Sequence, residues 1–117
     1  MSDSTTIFHN PRCSKSRAAM DLLTEKGIQA NVVKYLETPP DKESLENILD
    51  MLGIEPRELM RKGEQAYKEH NLADENLTRD QLIDAMLKFP SLIERPIVIK
   101  NGKAAIGRPI ENIIDIL

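Results

Sequence analysis

One cysteine is all the sequence has, and tryptophan is absent altogether. A lone Cys13 cannot close an internal disulfide, so a scaffold stapled together in an oxidising compartment is excluded. One Cys and two distant His also fall short of a metal-ligand cluster, so no metal is expected. There is no excess of positive charge: 16 Lys and Arg stand against 19 Asp and Glu, for a net charge of −3. A general nucleic-acid binder needs the opposite balance, because its affinity rests on neutralising phosphates. No run approaches the roughly 20 apolar residues of a membrane span. The opening Met-Ser-Asp-Ser-Thr-Thr has neither a basic start nor an apolar stretch of signal-peptide length, so a cytoplasmic protein is expected.

What is present is an ordinary globular composition, 40% hydrophobic and 30% charged over 117 residues. That length suits one domain with its own core, and a single domain over residues 1–117 is expected. Ser4 to His9 is β-prone and stopped by Asn10-Pro11, which reads as a strand. Ala19, Leu22 and Leu23 then mark one face of a helix that starts near Ser14 and ends at Gly27. Ala30 to Leu36, with Val32, Val33 and Tyr35, reads as a second strand. Thr38-Pro39-Pro40-Asp41 supplies a turn and a helix start, and Leu45, Ile48, Leu49 and Leu52 give the helical spacing up to Gly53.

Arg57 to Asn71 is polar and suits one or two short helices after Pro56. Thr78 and Gln81 have the spacing of a capping box ahead of Leu82, Ile83, Met86 and Leu87, and Phe89-Pro90 ends that helix. Ile97-Val98-Ile99, Asn101-Gly102 and Lys103 to Ile106 predict a hairpin. Pro109 fits the first turn of a last helix with Ile110, Ile113, Ile114 and Leu117 on its face. The order β-α-β, helices, β-β-α is that of an α/β thioredoxin-like fold with a helical insertion from about Asn47 to Pro90.

Cys13 falls where the first strand hands over to a helix, within His9-Asn10-Pro11-Arg12-Cys13-Ser14-Lys15-Ser16-Arg17. Free N–H groups and the peptide dipoles at a helix start favour a thiolate, and Arg12, Lys15 and Arg17 add positive charge. The same groups suit an oxyanion, so nucleophile and anion loop coincide. The alternative is a buried structural cysteine, which the polar and basic neighbours disfavour. His9 either orients this loop or lowers the cysteine pKa, or else simply ends a strand. Ser14 and Ser16 are candidates for helix caps or for functional groups. His70 stands outside any motif and is expected at the surface. Cys13-Ser14-Lys15-Ser16 lacks the second cysteine of a dithiol motif, so any disulfide must form with another molecule.

These residues resemble the active-site segment of the glutaredoxin-coupled arsenate reductase family. The resemblance continues through Tyr35-Leu36-Glu37-Thr38-Pro39-Pro40, Glu58-Leu59-Met60-Arg61-Lys62, Leu92-Ile93-Glu94-Arg95-Pro96-Ile97-Val98 and Gly107-Arg108-Pro109, in order over essentially the whole chain. It is strongest to the short members of that family. It implies a Cys13 nucleophile that attacks arsenate, a His9 that supports the thiolate, and oxyanion contacts from Arg61, Arg95 and Arg108. Asn10, Arg12, Ser14, Ser16 and Pro96 would form the supporting loop, with a cis peptide before Pro96. Arg12 and Lys15 depart from the smaller neutral residues of well-characterised members.

The chemistry so implied is a thiol–arsenate adduct on Cys13, attacked by glutathione, with arsenite released and the thiol regenerated by glutaredoxin. Arginine suits the anion because its guanidinium bonds bidentately and stays charged. No bound cofactor is expected: glutathione is a thiol co-substrate, and arsenate, glutathione and glutaredoxin are the partners, with no nucleic acid or membrane. Two other readings compete. One is thiol–disulfide exchange on glutathionylated proteins. The other is a redox-sensing adaptor resembling polymerase-binding regulators, whose two-cysteine switch this sequence lacks.

Overall fold

The computed structural model describes residues 5–108 and 110–117. Ser4 and Pro109, placed above in a strand and a helix, lie outside them. The chain divides into two units, one formed by Met1–Thr38 with Arg95–Leu117 and the other by Pro39–Glu94.

The first unit is built on a four-stranded sheet in the order β2-β1-β3-β4. Strand β1 (Thr5–Phe8) pairs in parallel with β2 (Asn31–Val33), and helix α1 (Ser14–Glu25) makes the crossover. Strand β3 (Ile97–Lys100) lies antiparallel on the other side of β1, with Ile7 opposite Val98, and β4 (Lys103–Ile106) closes the hairpin. The hairpin turn is the expected one, because Asn101 and Gly102 both take positive φ, at 52° and 77°. Ile7, Ala19, Leu23, Val98 and Ile113 form the core between sheet and helices. This is the thioredoxin-like arrangement expected from the element order.

Two elements are shorter than their sequence patterns. Strand β2 stops at Val33, because Lys34 begins a turn in which its carbonyl accepts from the N–H groups of Glu37 and Thr38. Tyr35 is nonetheless fully buried. Helix α6 is a single turn, Glu111–Ile114, that anchors the unit through Ile113. Gly107, just ahead of it, has no room for a side chain: a Cβ there would lie 2.6 Å from Ile113 Cδ1 and 2.8 Å from Pro96 Cγ.

The second unit is helical. Helix α2 (Lys42–Leu52) is capped by Asp41, whose carboxylate accepts from Ser44 N–H, and ends at Gly53 in a left-handed conformation. It begins earlier than the Asn47 boundary expected for the helical insertion. Short helices α3 (Pro56–Leu59) and α4 (Gln65–Glu69) follow, and Arg57 donates to the carbonyls of Leu72 and Asp74. Helix α5 (Arg79–Lys88) carries the full capping box between Thr78 and Gln81 and packs against α2. A 3-10 turn over Pro90–Leu92 leads out, and a single antiparallel bridge joins Met60 to Ile93. His70 is exposed, as expected, and stacks on Phe89 at 4.4 Å. Among the described residues no helix is long and apolar enough to cross a membrane.

Candidate active site

The sulfur of Cys13 sits where β1 gives way to α1. His9 N–H donates to Val33 O at 2.9 Å, which extends the β1–β2 pairing by one residue. Asn10 and Pro11 then turn the chain, and Cys13 N–H closes the turn on Asn10 O at 2.9 Å. The Asn10 side chain stiffens it further by accepting from Arg12 N–H at 3.1 Å, and Arg17 Nη1 donates to Pro11 O at 3.0 Å. Cys13 itself is the N-cap of α1, with its carbonyl accepting from Arg17 N–H. Neither Ser14 nor Ser16 is the cap. Ser14 is exposed at the first helical position, whereas Ser16 is wholly buried.

Ser16 has a different task. Its Oγ accepts from Asn10 N–H at 3.0 Å and lies 2.6 Å from His9 Nδ1. His9, Asn10 and Ser16 are the polar groups buried beside the cysteine, and together they lock the loop. Burial, followed by the positive charges of Lys34 and Arg17, holds the His9 pKa below its ordinary 6.5. His9 is therefore neutral at pH 7 and adds no charge to the site. Because the unfolded chain binds that proton more readily, stability is expected to fall as pH drops below 6.5. The loss should level off below the folded-state pKa. An NMR titration of the ring checks this, and a midpoint at or above 6.5 would contradict it.

Cys13 is only 7% exposed. Burial pushes the thiol pKa up, but the backbone N–H of Ser16, the Arg95 side chain and the N–H of Lys15 together outweigh it. The net shift is downward, toward a thiolate. Arg95 precedes β3, and its peptide bond to Pro96 is cis. Its own pKa is lowered by burial but raised more by Cys13 and by Tyr35, so the guanidinium stays charged. Arg108 follows β4 and brings Nη2 to 3.6 Å from the Cys13 sulfur, while its Nε donates to Arg95 O at 2.8 Å. The antiparallel pairing of β3 with β1 is what carries both arginines to the loop after β1.

Arg61 belongs to the helical unit. There its Nη1 donates to Glu64 at 3.0 Å and its Nε lies 3.6 Å from Glu94, while its N–H donates to Leu92 O at 2.6 Å. Arg12 and Lys15 are exposed beside the cysteine. Two features escaped the sequence reading. Tyr35 is a site residue through its contact with Arg95, although its pattern showed only a strand position. Lys34 is close enough to His9 to shift its pKa.

A sulfur whose pKa is lowered, two guanidiniums beside it and backbone N–H groups at a helix start together suit a small oxyanion. Residues 8–116 match the family model described as ArsC. A protein of Neisseria meningitidis named arsenate reductase is 56% identical over 112 residues, covering 95% of this chain and 96% of its own. An Escherichia coli arsenate reductase is 44% identical, covering 96% and 79%. The solved structure of an arsenate reductase from Vibrio cholerae superposes with a TM-score of 0.96 at 49% identity, over the whole of both chains.

Proposed function

We propose that this chain, which belongs to the ArsC family, reduces arsenate to arsenite through a Cys13 thiolate, with glutathione and glutaredoxin as the source of electrons. The observation that supports this most directly is the pair of arginines at the sulfur, with Arg108 Nη2 at 3.6 Å. A dianion approaching a thiolate is repelled, and two permanently charged forks beside the sulfur offset that repulsion. Arg95 and Arg108 bind the oxyanion, and the N–H groups at the start of α1 hold its remaining oxygens. Arg61 is assigned to the same anion on the resemblance of its segment. His9 positions the loop through Ser16, so that Ser16 N–H stays aimed at the sulfur.

Cys13 displaces one oxygen of arsenic as water, forming an S–As bond without change of oxidation state. A glutathione thiol displaces a second oxygen, also as water, and becomes a second sulfur ligand. Another thiol, of glutathione or glutaredoxin, attacks that glutathione sulfur and breaks its bond to arsenic. The electron pair stays on arsenic, the thiol proton goes to the arsenic oxygen, and a disulfide leaves. Water then cleaves the remaining Cys13–arsenic bond, releasing arsenite and the free thiol. Since Cys13 is the sequence's one cysteine, both electrons come from outside the chain.

The test is a paired assay of the purified protein with glutathione and glutaredoxin. Arsenate-dependent disulfide formation well above background is expected. Turnover of a glutathionylated substrate with none of arsenate would overturn the reading in favour of thiol–disulfide exchange.

A further inference from the structure

A groove of about 320 Å³ opens beside the active-site loop, lined by His9, Pro11, Arg12, Lys34, Leu36 and Glu37. It is at the small end of ligand pockets. One wall is the turn that precedes Cys13, and the other is the turn that shortens β2. A larger groove of about 700 Å³ lies where α1 runs into β2, but its lining, from Met20 and Leu23 to Asn31, carries no charged side chain. The smaller one differs in kind. Arg12, Lys34 and Glu37 are all exposed, and Leu36, an unusually open leucine at 43%, gives an apolar floor with Pro11.

We infer that this groove is the subsite for the peptide thiol that attacks the Cys13 adduct, an inference that rests on the function proposed above. A glutathione-class thiol carries two carboxylates and one ammonium around an otherwise neutral backbone. The groove offers the complement: Arg12 and Lys34 for the carboxylates, Glu37 for the ammonium, and Pro11 and Leu36 for the methylenes between them. The surrounding unit supports the same sign. It has nine Lys and Arg against six Asp and Glu, where the helical unit has seven against thirteen, so the overall negative charge is carried by the helical unit. Because Arg12 adjoins Cys13 in the chain, a ligand seated here brings its thiol up to the adduct rather than meeting it by random encounter.

S-methylglutathione, which cannot react, tests the subsite on the whole isotope-labelled chain without any turnover. Saturable NMR shifts are expected at the amides of Asn10, Arg12, Leu36 and Glu37. The double variant Arg12→Glu with Lys34→Glu should weaken binding at least about tenfold. Glu37→Lys should weaken S-methylglutathione but not its N-acetyl derivative, which has no ammonium to place. Unchanged affinity in the double variant, or shifts confined to residues 95–107, would overturn the assignment. If the chain binds here but is inert toward arsenate, the proposed activity falls and the subsite stands. If it reduces arsenate with a glutathione KM indifferent to these charges, the subsite falls and the activity stands.

Discussion

Replacing Cys13 by serine is expected to lower arsenate turnover by at least about a thousandfold, to the level of the uncatalysed mixture. The hydroxyl is slightly smaller than the thiol and does not ionise near neutral pH, so the negative charge is lost with little change in volume. Arg95, Arg108 and the N–H groups of Ser16 and Lys15 would still surround the position. Stability should therefore stay within about 1 kcal/mol of the parent, since the substitution opens no cavity. Circular dichroism and thermal melting check that half of the expectation. Full activity in a folded Cys13→Ser chain would overturn the mechanism, because the sequence has no second thiol to take over.

Much of this site was legible in one dimension, for identifiable reasons. A helix start after Asn10-Pro11 is a local event, and the sequence around Cys13 carries its own turn and charge signals. The capping box at Thr78 and Gln81 and the turn at Asn101-Gly102 are local in the same way, and both occur as read. Arg95 and Arg108 are a different case. Neither has a signal of its own. Their approach to Cys13 depends on β3 lying antiparallel to β1, a pairing across about ninety residues of chain. The hairpin made that geometry conceivable, and the family resemblance made it specific. What stayed hidden was tertiary. Val32, Val33 and Tyr35 suggest a strand running on to Leu36, whereas the chain turns at Lys34, buries Tyr35 against Arg95 and turns Leu36 to solvent. Ser16 reads equally as a helix cap or a functional group, because its distance from Asn10 and His9 is set by the loop, not by sequence spacing.

Removing the Arg95 charge, as in Arg95→Gln, should have the second largest effect. Two forces act on the Cys13 thiol: burial favours the neutral form, and hydrogen bonds with a cation favour the thiolate. Arg95 contributes to the second through both a hydrogen bond and its charge, so its loss leaves burial less opposed. The thiol pKa should rise, and the iodoacetamide alkylation profile should move to higher pH. The sign follows from the depressed folded value: thiolate is lost as pH falls through that pKa, and raising the pKa makes the loss begin earlier. A charge-assisted hydrogen bond contributes about 1.5–3 kcal/mol, so activity near pH 7 should fall by roughly ten- to a hundredfold. Part of that loss should be recovered at alkaline pH, where the thiolate forms unaided. The part that persists there measures binding of the oxyanion. Arg95→Lys separates the two contributions, because it keeps the charge while losing the fork that grips two oxygens. A pH profile unmoved by Arg95→Gln would mean that the Ser16 and Lys15 N–H groups hold the thiolate without it.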